Sequence, residues 1–502
     1  MLSAQSAVAS VGARPRTPAP AAGEPFGALQ ILLCLGALML VASPLPYLLR
    51  FDHDHVITSV ILIVTLTALS FYSQRGAIAA TMVFLAVLGD YRRYAGFFQG
   101  YPLSDPLLVV APAVALLLLT QSLMRGRLAP PTTLSRLVLG LVALMVIEMF
   151  NPIQGGIQVG VAGALFYLAP LLWFWVGRSY ASLEFAEAFA FRVVLAVGVA
   201  ATLLGMYQTY VGLLGFEQQW VERIGYQSLY ISDEVVRAIG FLSSSAEYQR
   251  YLVIVAVTTV VMWLALRSRL ILLLPLFLVA IFLSAARGPV LMVVLGSVTV
   301  WAISARSVIS WLPRLAAAAI IGGVGLVGLL VFLQGSSFGG RVAPLVERQV
   351  GGLLDPGNQE KSTATGHLQM IRDGLIAGVT NPAGEGLGIT TAAAEKYGKG
   401  TRSAEVDFAN LMISVGILGG VLYAIIGLTV LGRALRWWRI ERQPYALLMV
   451  GILIATAGGW LIGGEYSVAA LLWFQIGLMD RLSREGDLAR RRSRARKPGD
   501  PA

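Results

Sequence analysis

Six ionisable side chains fall close to the ends of long apolar segments, where charged groups can do chemistry at the edge of a bilayer. They are Glu148, Glu247, Arg250, Arg287, Asp407 and Glu465. Ionisable groups in apolar segments are costly and are usually functional. Side chains that reach from a helix end into water explain any one of them alone. Their grouping at helix ends is what indicates a site.

Arg287 is the most informative of these residues because of the sequence around it. It lies in LSAARGPV, between two apolar segments, where a turn would direct its guanidinium into the bundle. A planar guanidinium suits bidentate binding of a phosphate group. The sequence therefore predicts a phosphate-bearing substrate at this position.

The composition identifies the elements that must position these groups. The chain has 502 residues, of which 57% are hydrophobic and 13% charged. Soluble domains are roughly 25% charged, and a membrane-spanning helix needs about 20 apolar residues. We predict an all-α polytopic integral membrane protein with about twelve to fourteen transmembrane helices. Much of the net charge of +11 lies in the tail after Arg484, which indicates contact with anionic lipid and not with nucleic acid.

The distribution of arginines between the spans predicts the topology and the domains. Arginines are concentrated in alternate connections, so both termini are expected in the cytoplasm. The predicted segments, by residue range, are a disordered cytoplasmic tail at 1–26, eleven helices at 27–333 with an extracytoplasmic loop at 216–247, a large extracytoplasmic loop with short helices at 334–406, the last helices at 407–482 and a basic cytoplasmic tail at 483–502.

Two short helices are predicted in the large loop. The first has four apolar residues on one face, Val342, Leu345, Val346 and Val350. Arg348 lies on the opposite face, so this helix is amphipathic and expected at the membrane surface. The second would run from Thr365 to Ala377 and bury Leu368, Ile371 and Leu375.

Cysteine and histidine are too few to support most metal chemistry. Cys34 is the single cysteine, so an internal disulfide or a thiolate cluster is excluded. Asp52, His53, Asp54 and His55 form a DHDH run that suits either a metal site or a short polar turn. We interpret it as a turn and predict no metal and no cofactor.

Four segments resemble motifs of one bacterial family, in the order in which that family carries them. They are FNPIQGG (150–156), RAIGFLSSSAEYQRYL (237–252), FLSAARGPVL (282–291), and NPAGEGLG (381–388) followed by VDFANLMISVGILGG (406–420). Together they resemble the O-antigen ligase and O-antigen polymerase superfamily of envelope glycosyltransferases. The resemblance covers roughly residues 140 to 430.

The resemblance implies a GT-C-like membrane fold and a metal-independent transferase at the outer face of the bacterial inner membrane. Its donor would be a glycan on undecaprenyl diphosphate. Its partners would be a lipid-linked oligosaccharide donor and acceptor, membrane lipids, and flippase and chain-length or export proteins. Ligases of the family usually carry a His-Asn pair after the large loop, where this chain has Glu405, Asp407 and Asn410. This departure favours a polymerase of O-antigen or exopolysaccharide.

Transfer from a diphosphate requires stabilisation of the leaving phosphate and removal of a proton from the acceptor hydroxyl. For the first task we predict Arg287 and Arg237, with Arg341 or Arg348. For the second, the candidates are Asp407, Glu405 and the rival His367. Two alternatives stay open: a ligase that transfers glycan to lipid A core, and a transporter or flippase. A transporter would carry its charges near mid-span, not at helix ends.

Overall fold

The structure is a computed structural model of the 502-residue chain. It describes residues 28–48, 55–102, 104–226, 229–232, 235–305, 308–317, 320, 342–354, 364–397, 400, 402, 406–461 and 465–495. Arg341 and Glu405, and residues 52–54 of the DHDH run, therefore lie outside the described residues. The backbone of His367 is described within a helix, but its side chain is not.

Helices make up almost all of the described residues. In chain order they are α1 (Ala28–Ala42), α2 (Pro44–Leu48), α3 (Val56–Tyr72), α4 (Gln74–Gln99), α5 (Leu107–Met124), α6 (Thr133–Glu148), α7 (Ile157–Ser179), α8 (Leu183–Ala188), α9 (Leu195–Tyr210), α10 (Gly215–Ile224), α11 (Ser245–Leu266), α12 (Leu274–Leu283), α13 (Arg287–Ile303), α14 (Ala343–Leu354), α15 (Ala364–Thr380), α16 (Ala392–Lys396), α17 (Asp407–Glu441), α18 (Pro444–Ala455) and α19 (Tyr466–Ala495). A π-helical turn at Phe189–Val194 joins α8 to α9. Strands β1 (Tyr230–Ser232) and β2 (Val235–Val236) form a small antiparallel hairpin.

The predicted all-α membrane class is confirmed. Five helices of the described chain are long and apolar enough to cross a bilayer: α5, α7, Leu183–Tyr210, α11 and α17. Their mean hydropathy lies between 1.7 and 2.3. An α-helix satisfies its own backbone hydrogen bonds, which a bilayer core requires. Shorter apolar helices include α3, α13 and α18, and the total of twelve to fourteen spans stays a prediction.

Close backbone contact between α7 and α19 forms the centre of the bundle. A Cβ on Gly177 would lie 2.3 Å from the Phe474 carbonyl oxygen, and a Cβ on Gly477 would lie 2.1 Å from the Phe174 carbonyl oxygen. Only glycine allows two helices to approach so closely. Trp173, like both phenylalanines, is buried around this contact. The contact holds the start of α19 at a defined position, which the site uses.

The predicted amphipathic helix in the large loop is confirmed as α14. Leu345, Val346 and Val350 are buried, whereas Glu347 and Arg348 are exposed. The buried residues pack against the end of α12 and the β1–β2 hairpin. The apolar face therefore docks on the protein, and Arg348 is left free of the packing.

The second predicted helix of the loop is present as α15, but its predicted buried stripe is wrong. Leu368 is 68% exposed. The face that packs on α17 carries Gly374, against Ala409, and Gly378, against Met412. Small residues let the backbones of α15 and α17 approach closely. The helix therefore packs through this glycine face and leaves the Leu368 side chain exposed. Periodicity of large apolar residues cannot reveal a contact that depends on their absence.

Candidate functional site

A break in α17 creates the docking point for the end of the large loop. Gly416 has φ of +71°, which interrupts the helix near its first quarter. The break leaves carbonyls without helical donors, and two of them accept from the loop: Ile413 from the Glu385 amide at 2.8 Å, and Ser414 from the Gly386 amide at 3.2 Å. Broken helices occur in membranes where neighbouring protein satisfies the freed groups. Segments 381–388 and 406–420 thus form one unit.

The Asn-Pro segment near residue 151 contacts the same loop. Asn151 Nδ2 donates to the Gly384 carbonyl at 3.2 Å and to Glu148 Oε2 at 2.7 Å. Gln154 Oε1 accepts from the Gly388 amide at 2.9 Å. The loop therefore sits between the end of α6 and the broken helix α17. Segment 150–156 thus meets segments 381–388 and 406–420, which lie more than two hundred residues later in the sequence.

The turn before α13 is held by glutamines on two sides. Gln349 Nε2 of α14 donates to the Ala286 carbonyl at 3.2 Å. Gln249 Nε2 of α11 lies 3.5 Å from the Ser284 carbonyl oxygen. Ala285, between these two carbonyls, has a positive φ of 55°. This sharp turn ends α12 and places Arg287 at the first position of α13.

Three of the predicted arginines gather beside this turn; we call Arg237, Arg287 and Arg348 the arginine group. Arg348 is within electrostatic range of both other guanidiniums and repels each of them. Arg237 follows the β1–β2 hairpin and is half-buried, and no carboxylate of the described residues forms an ion pair with it. Its Nε is buried without a hydrogen-bond partner in the described part of the chain.

Electrostatics make this group a place for an anion. Burial, and then the neighbouring Arg348, lowers the pKa of Arg237 from its usual value. An arginine stays protonated at neutral pH even after such a shift. Like charges held together in a partly buried place repel one another unless an anion binds between them. Arg341, the fourth predicted member, lies outside the described residues.

A second cluster lies close by and contains three of the four carboxylates predicted from the helix ends: Glu247, Asp407 and Glu465. Glu247 is fully buried, and its Oε1 accepts from the Ser467 amide at 2.7 Å and from the Val468 amide at 3.2 Å. Its Oε2 accepts from the Ser243 amide at 3.0 Å. Glu247 therefore caps the start of α19, where the helix dipole favours negative charge. These contacts join the start of α11 to the start of α19.

Arg250, one residue after Gln249, joins the same cluster. Its Nε lies 2.8 Å from Glu465 Oε2, and its Nη1 donates to the Gly459 carbonyl at 2.6 Å. Gly459 makes room for the guanidinium, because a Cβ there would lie 1.4 Å from Nη1. Arg250 and Glu465 thus form a buried ion pair, and the two predicted site residues compensate each other.

Asp407 is enclosed by the chain around it. Its Oδ2 accepts from the Trp460 amide, from the Leu461 amide at 2.9 Å and from the Tyr423 hydroxyl. The side chain is fully buried, and Oδ1 has no hydrogen-bond partner among the described residues. Asn410, one turn later, is also fully buried. Asp407 thus ties the segment after α18 to the start of α17.

The six helix-end residues therefore lie at one end of the bundle but fall into different environments. Glu148 is beside the loop. Glu247, Asp407 and Glu465 are buried, and the half-buried Arg250 pairs with Glu465. Only Arg287 belongs to the arginine group. The sequence predicted that these residues share an end, and their separation into a binding group and a supporting cluster comes from the packing.

Sequence reasoning missed several polar residues that support the site. Gln249 and Gln349 hold the turn, and Tyr423 donates to Asp407. A polar group flanked by apolar residues was a signal for Tyr423. His55, in the segment interpreted as a turn, pairs through Nδ1 with Asp105 Oδ1 at 2.9 Å. That pair is buried and distant in sequence from the arginine group.

Comparison with known proteins does not assign the chain. No family model matches it, and no curated protein matches it. What can be said of its function rests on the residues and their arrangement.

Proposed function

We propose that this protein is a glycosyltransferase that polymerises lipid-linked oligosaccharide repeats at the outer face of the bacterial inner membrane. The observation that carries the proposal is the arginine group, in which Arg237, Arg287 and Arg348 converge without a paired carboxylate on Arg237. Three guanidiniums at the end of a membrane bundle suit a diphosphate whose lipid tail lies in the bilayer.

In the proposed reaction, the arginine group stabilises the leaving diphosphate. In the transfer, the bond between the anomeric carbon of the donor glycan and a phosphate oxygen breaks. A hydroxyl oxygen of the acceptor repeat forms the new bond to that carbon, and its proton passes to a base. Negative charge grows on the departing diphosphate, and positioned guanidiniums stabilise it. Loss of one such donor commonly lowers a rate by about 10²–10³-fold.

Asp407 is better suited to positioning than to proton transfer. An acceptor hydroxyl must come within hydrogen-bond distance of a general base. Asp407 is fully buried, and its Oδ2 already accepts from two amides and one hydroxyl. We assign it the role of holding the segment at 458–461 against α17. Glu405 and His367 stay the candidates for the base, since both precede α17 in the large loop.

Support for the location comes from the arrangement of the loop. Segments 150–156, 381–388 and 413–416 assemble at the same end of the bundle as the arginine group, connected through α11 and α17. Arginine placement along the sequence puts this end outside the cytoplasm. A polymerase acting on exported lipid-linked repeats needs its site on that side.

The test is polymerisation by purified protein in nanodiscs with a lipid-linked repeat, in EDTA and without lipid A core. We expect a ladder of longer lipid-linked products from the wild-type chain. Arg237→Ala, Arg287→Ala and Arg348→Ala should each lower the rate by about 10²-fold or more. Arg269→Ala is the matched control, because Arg269 is exposed and lies three residues after the end of α11 that is remote from the arginine group.

Three results would count against the proposal in different ways. Wild-type activity in all three arginine variants would remove the arginine group from the mechanism. Product that forms only when lipid A core is supplied would replace polymerisation by ligation. Absence of product under both conditions, with a matched donor, would favour transport of the same substrate class.

A further inference from the structure

A cavity of about 360 Å³ lies at the end of the bundle opposite the arginine group. Its lining includes Thr133, the first residue of α6, and Arg436 of α17. Helix α6 also ends at Glu148 beside the large loop. Fifteen residues separate Thr133 from Glu148, which is about 22 Å along a helix. The cavity is therefore separate from the proposed active site.

Four arginines line the cavity and come from three helical segments. They are Arg136, Arg433, Arg436 and Arg484. Trp437 forms part of the wall and is itself buried. A volume of this size is within the range of small-ligand sites, about 300–1,000 Å³. The lining is dominated by guanidinium groups, so the occupant it suits is an anion.

The charge around the cavity is not balanced by the carboxylates that contact its walls. Asp480 is fully buried, pairs with Arg178 at 2.8 Å and with Arg433, and accepts from the Thr132 hydroxyl at 2.8 Å. Glu441, one turn after Trp437, accepts from the indole Nε1 at 3.0 Å. Among the described residues in these contacts there are thus two carboxylates and five guanidiniums, counting Arg178 with the four in the lining.

Two of the lining arginines are committed to the protein and two are presented to the cavity. Arg433 is held by Asp480, and Arg484 Nη1 donates to the carbonyls of Pro130 at 2.9 Å and Pro131 at 2.7 Å. The side chains of Arg136 and Arg436 are exposed. Two guanidiniums that are held in place and two that are exposed thus line one cavity, and together they can bind phosphate oxygens.

We propose that this cavity binds a phosphate-bearing anion at the end of the bundle opposite the arginine group. The ligand chemistry is a phosphate mono- or diester, or a diphosphate, held by Arg136 and Arg436. The headgroup of an anionic phospholipid and a soluble diphosphate share this chemistry. Arg433 and Arg484 supply further positive charge, and the start of α6 adds its helix dipole.

The test uses the full-length protein in detergent with three probes: dioctanoyl phosphatidylglycerol, dioctanoyl phosphatidylcholine and inorganic pyrophosphate. Native mass spectrometry measures the lipids, and calorimetry measures pyrophosphate. The variant is Arg136→Gln/Arg436→Gln, which leaves Asp480 and its partners intact. The control is Arg269→Gln/Arg439→Gln, which removes two exposed arginines that do not line the cavity.

We expect the cavity variant to bind at least one anionic probe roughly tenfold more weakly than wild type, and the control to change by about twofold at most. If phosphatidylglycerol follows this pattern and phosphatidylcholine does not bind, the ligand is a lipid headgroup. If pyrophosphate alone follows it, the ligand is soluble. Equal weakening in both variants, or none in either, would overturn the proposal. None of these results depends on the transferase assay.

Discussion

Gln349 of α14 donates a hydrogen bond of 3.2 Å to the carbonyl of Ala286, the residue that precedes α13. This bond fixes the loop helix to the turn that presents Arg287. Arg348 is adjacent to Gln349 in sequence, so the same contact places Arg348 beside Arg287 and Arg237. This hydrogen bond therefore adds to the apolar packing of α14 in positioning the arginine group.

Replacement of Gln349 by leucine should lower the transfer rate much more than it lowers the stability of the fold. Gln349 is buried, and its loss removes one hydrogen bond, which is worth about 1 kcal/mol of unfolding free energy. We expect the thermal midpoint to fall slightly, while the transfer rate falls roughly tenfold because Arg348 is held less precisely beside Arg287. Product ladders and thermal unfolding in detergent measure the two effects. Undiminished transfer by Gln349→Leu would show that this contact does not position the arginines.

Two substitutions at Asp407 distinguish an anchor from a general base. Asp407→Asn keeps an oxygen that can accept from the Trp460 and Leu461 amides. We expect this variant to transfer within about threefold of wild type, whereas removal of a general base costs about 10²–10⁴-fold.

Asp407→Ala leaves buried amide donors without an acceptor, at a cost of about 1–3 kcal/mol for each. We expect a clear fall in thermal stability and, through it, in activity. Asp407→Asn could instead be as inactive as Asp407→Ala while remaining as stable as wild type. The positioning role would then be wrong, and Asp407 would again be the candidate general base.

Gly416→Ala should be severely destabilising. The residue has φ of +71°, and a Cβ would lie 2.0 Å from the Pro382 carbonyl oxygen. With ψ of −171°, this backbone conformation is essentially restricted to glycine. It alone costs an alanine about 1–3 kcal/mol, and the contact with backbone adds to it. We expect loss of at least about 2 kcal/mol of unfolding free energy, measured by chemical denaturation in detergent.

Gly432→Ala on the same helix is the control for Gly416→Ala. A Cβ at Gly432 meets nothing within 4 Å. Alanine there should be neutral or stabilise the protein by up to about 1 kcal/mol. Equal effects of the two substitutions would mean that the break at Gly416 is not required for the fold.

Glu217, at the start of α10, should make stability depend on pH. Burial, and then the carboxylate of Asp90, raises the pKa of Glu217 from 4.5 to about 8. Its Oε1 accepts from Gln208 Nε2 at 2.5 Å and lies 3.9 Å from Arg93 Nη1, which also pairs with Asp90. Its Oε2 accepts from the Leu214 amide. One guanidinium thus serves two carboxyl groups.

The direction of the effect follows from this raised pKa. The folded protein holds the Glu217 proton more tightly than the unfolded chain does. The stabilisation from this group is complete below about pH 4.5 and is lost as the pH rises through about 8. Glu217→Gln should abolish that part of the decline, so its thermal midpoint should exceed that of wild type at alkaline pH only. Glu222 is exposed on the same helix, so the thermal midpoint of Glu222→Gln should depend on pH as that of wild type does. If the thermal midpoint of Glu217→Gln fell at alkaline pH as much as that of wild type, the prediction would be contradicted.

The amino-acid sequence by itself determined the class of this protein and much of its helical framework. Segments of about 20 apolar residues have few alternatives to membrane helices, because the bilayer core requires each backbone group to be satisfied within the segment. The amphipathic pattern of α14 was equally decisive, since Leu345, Val346 and Val350 recur at helical spacing. Both properties are local along the chain.

The tertiary structure alone decided which polar groups meet and which are accessible. The sequence predicts that Asp407 lies at a helix start, but only the fold shows that the segment at 458–461 encloses it. The packed face of α15 is formed by Gly374 and Gly378, not by Leu368. The physical reason is that hydropathy depends on neighbours in sequence, whereas these hydrogen bonds and close helix contacts join segments that are tens to hundreds of residues apart.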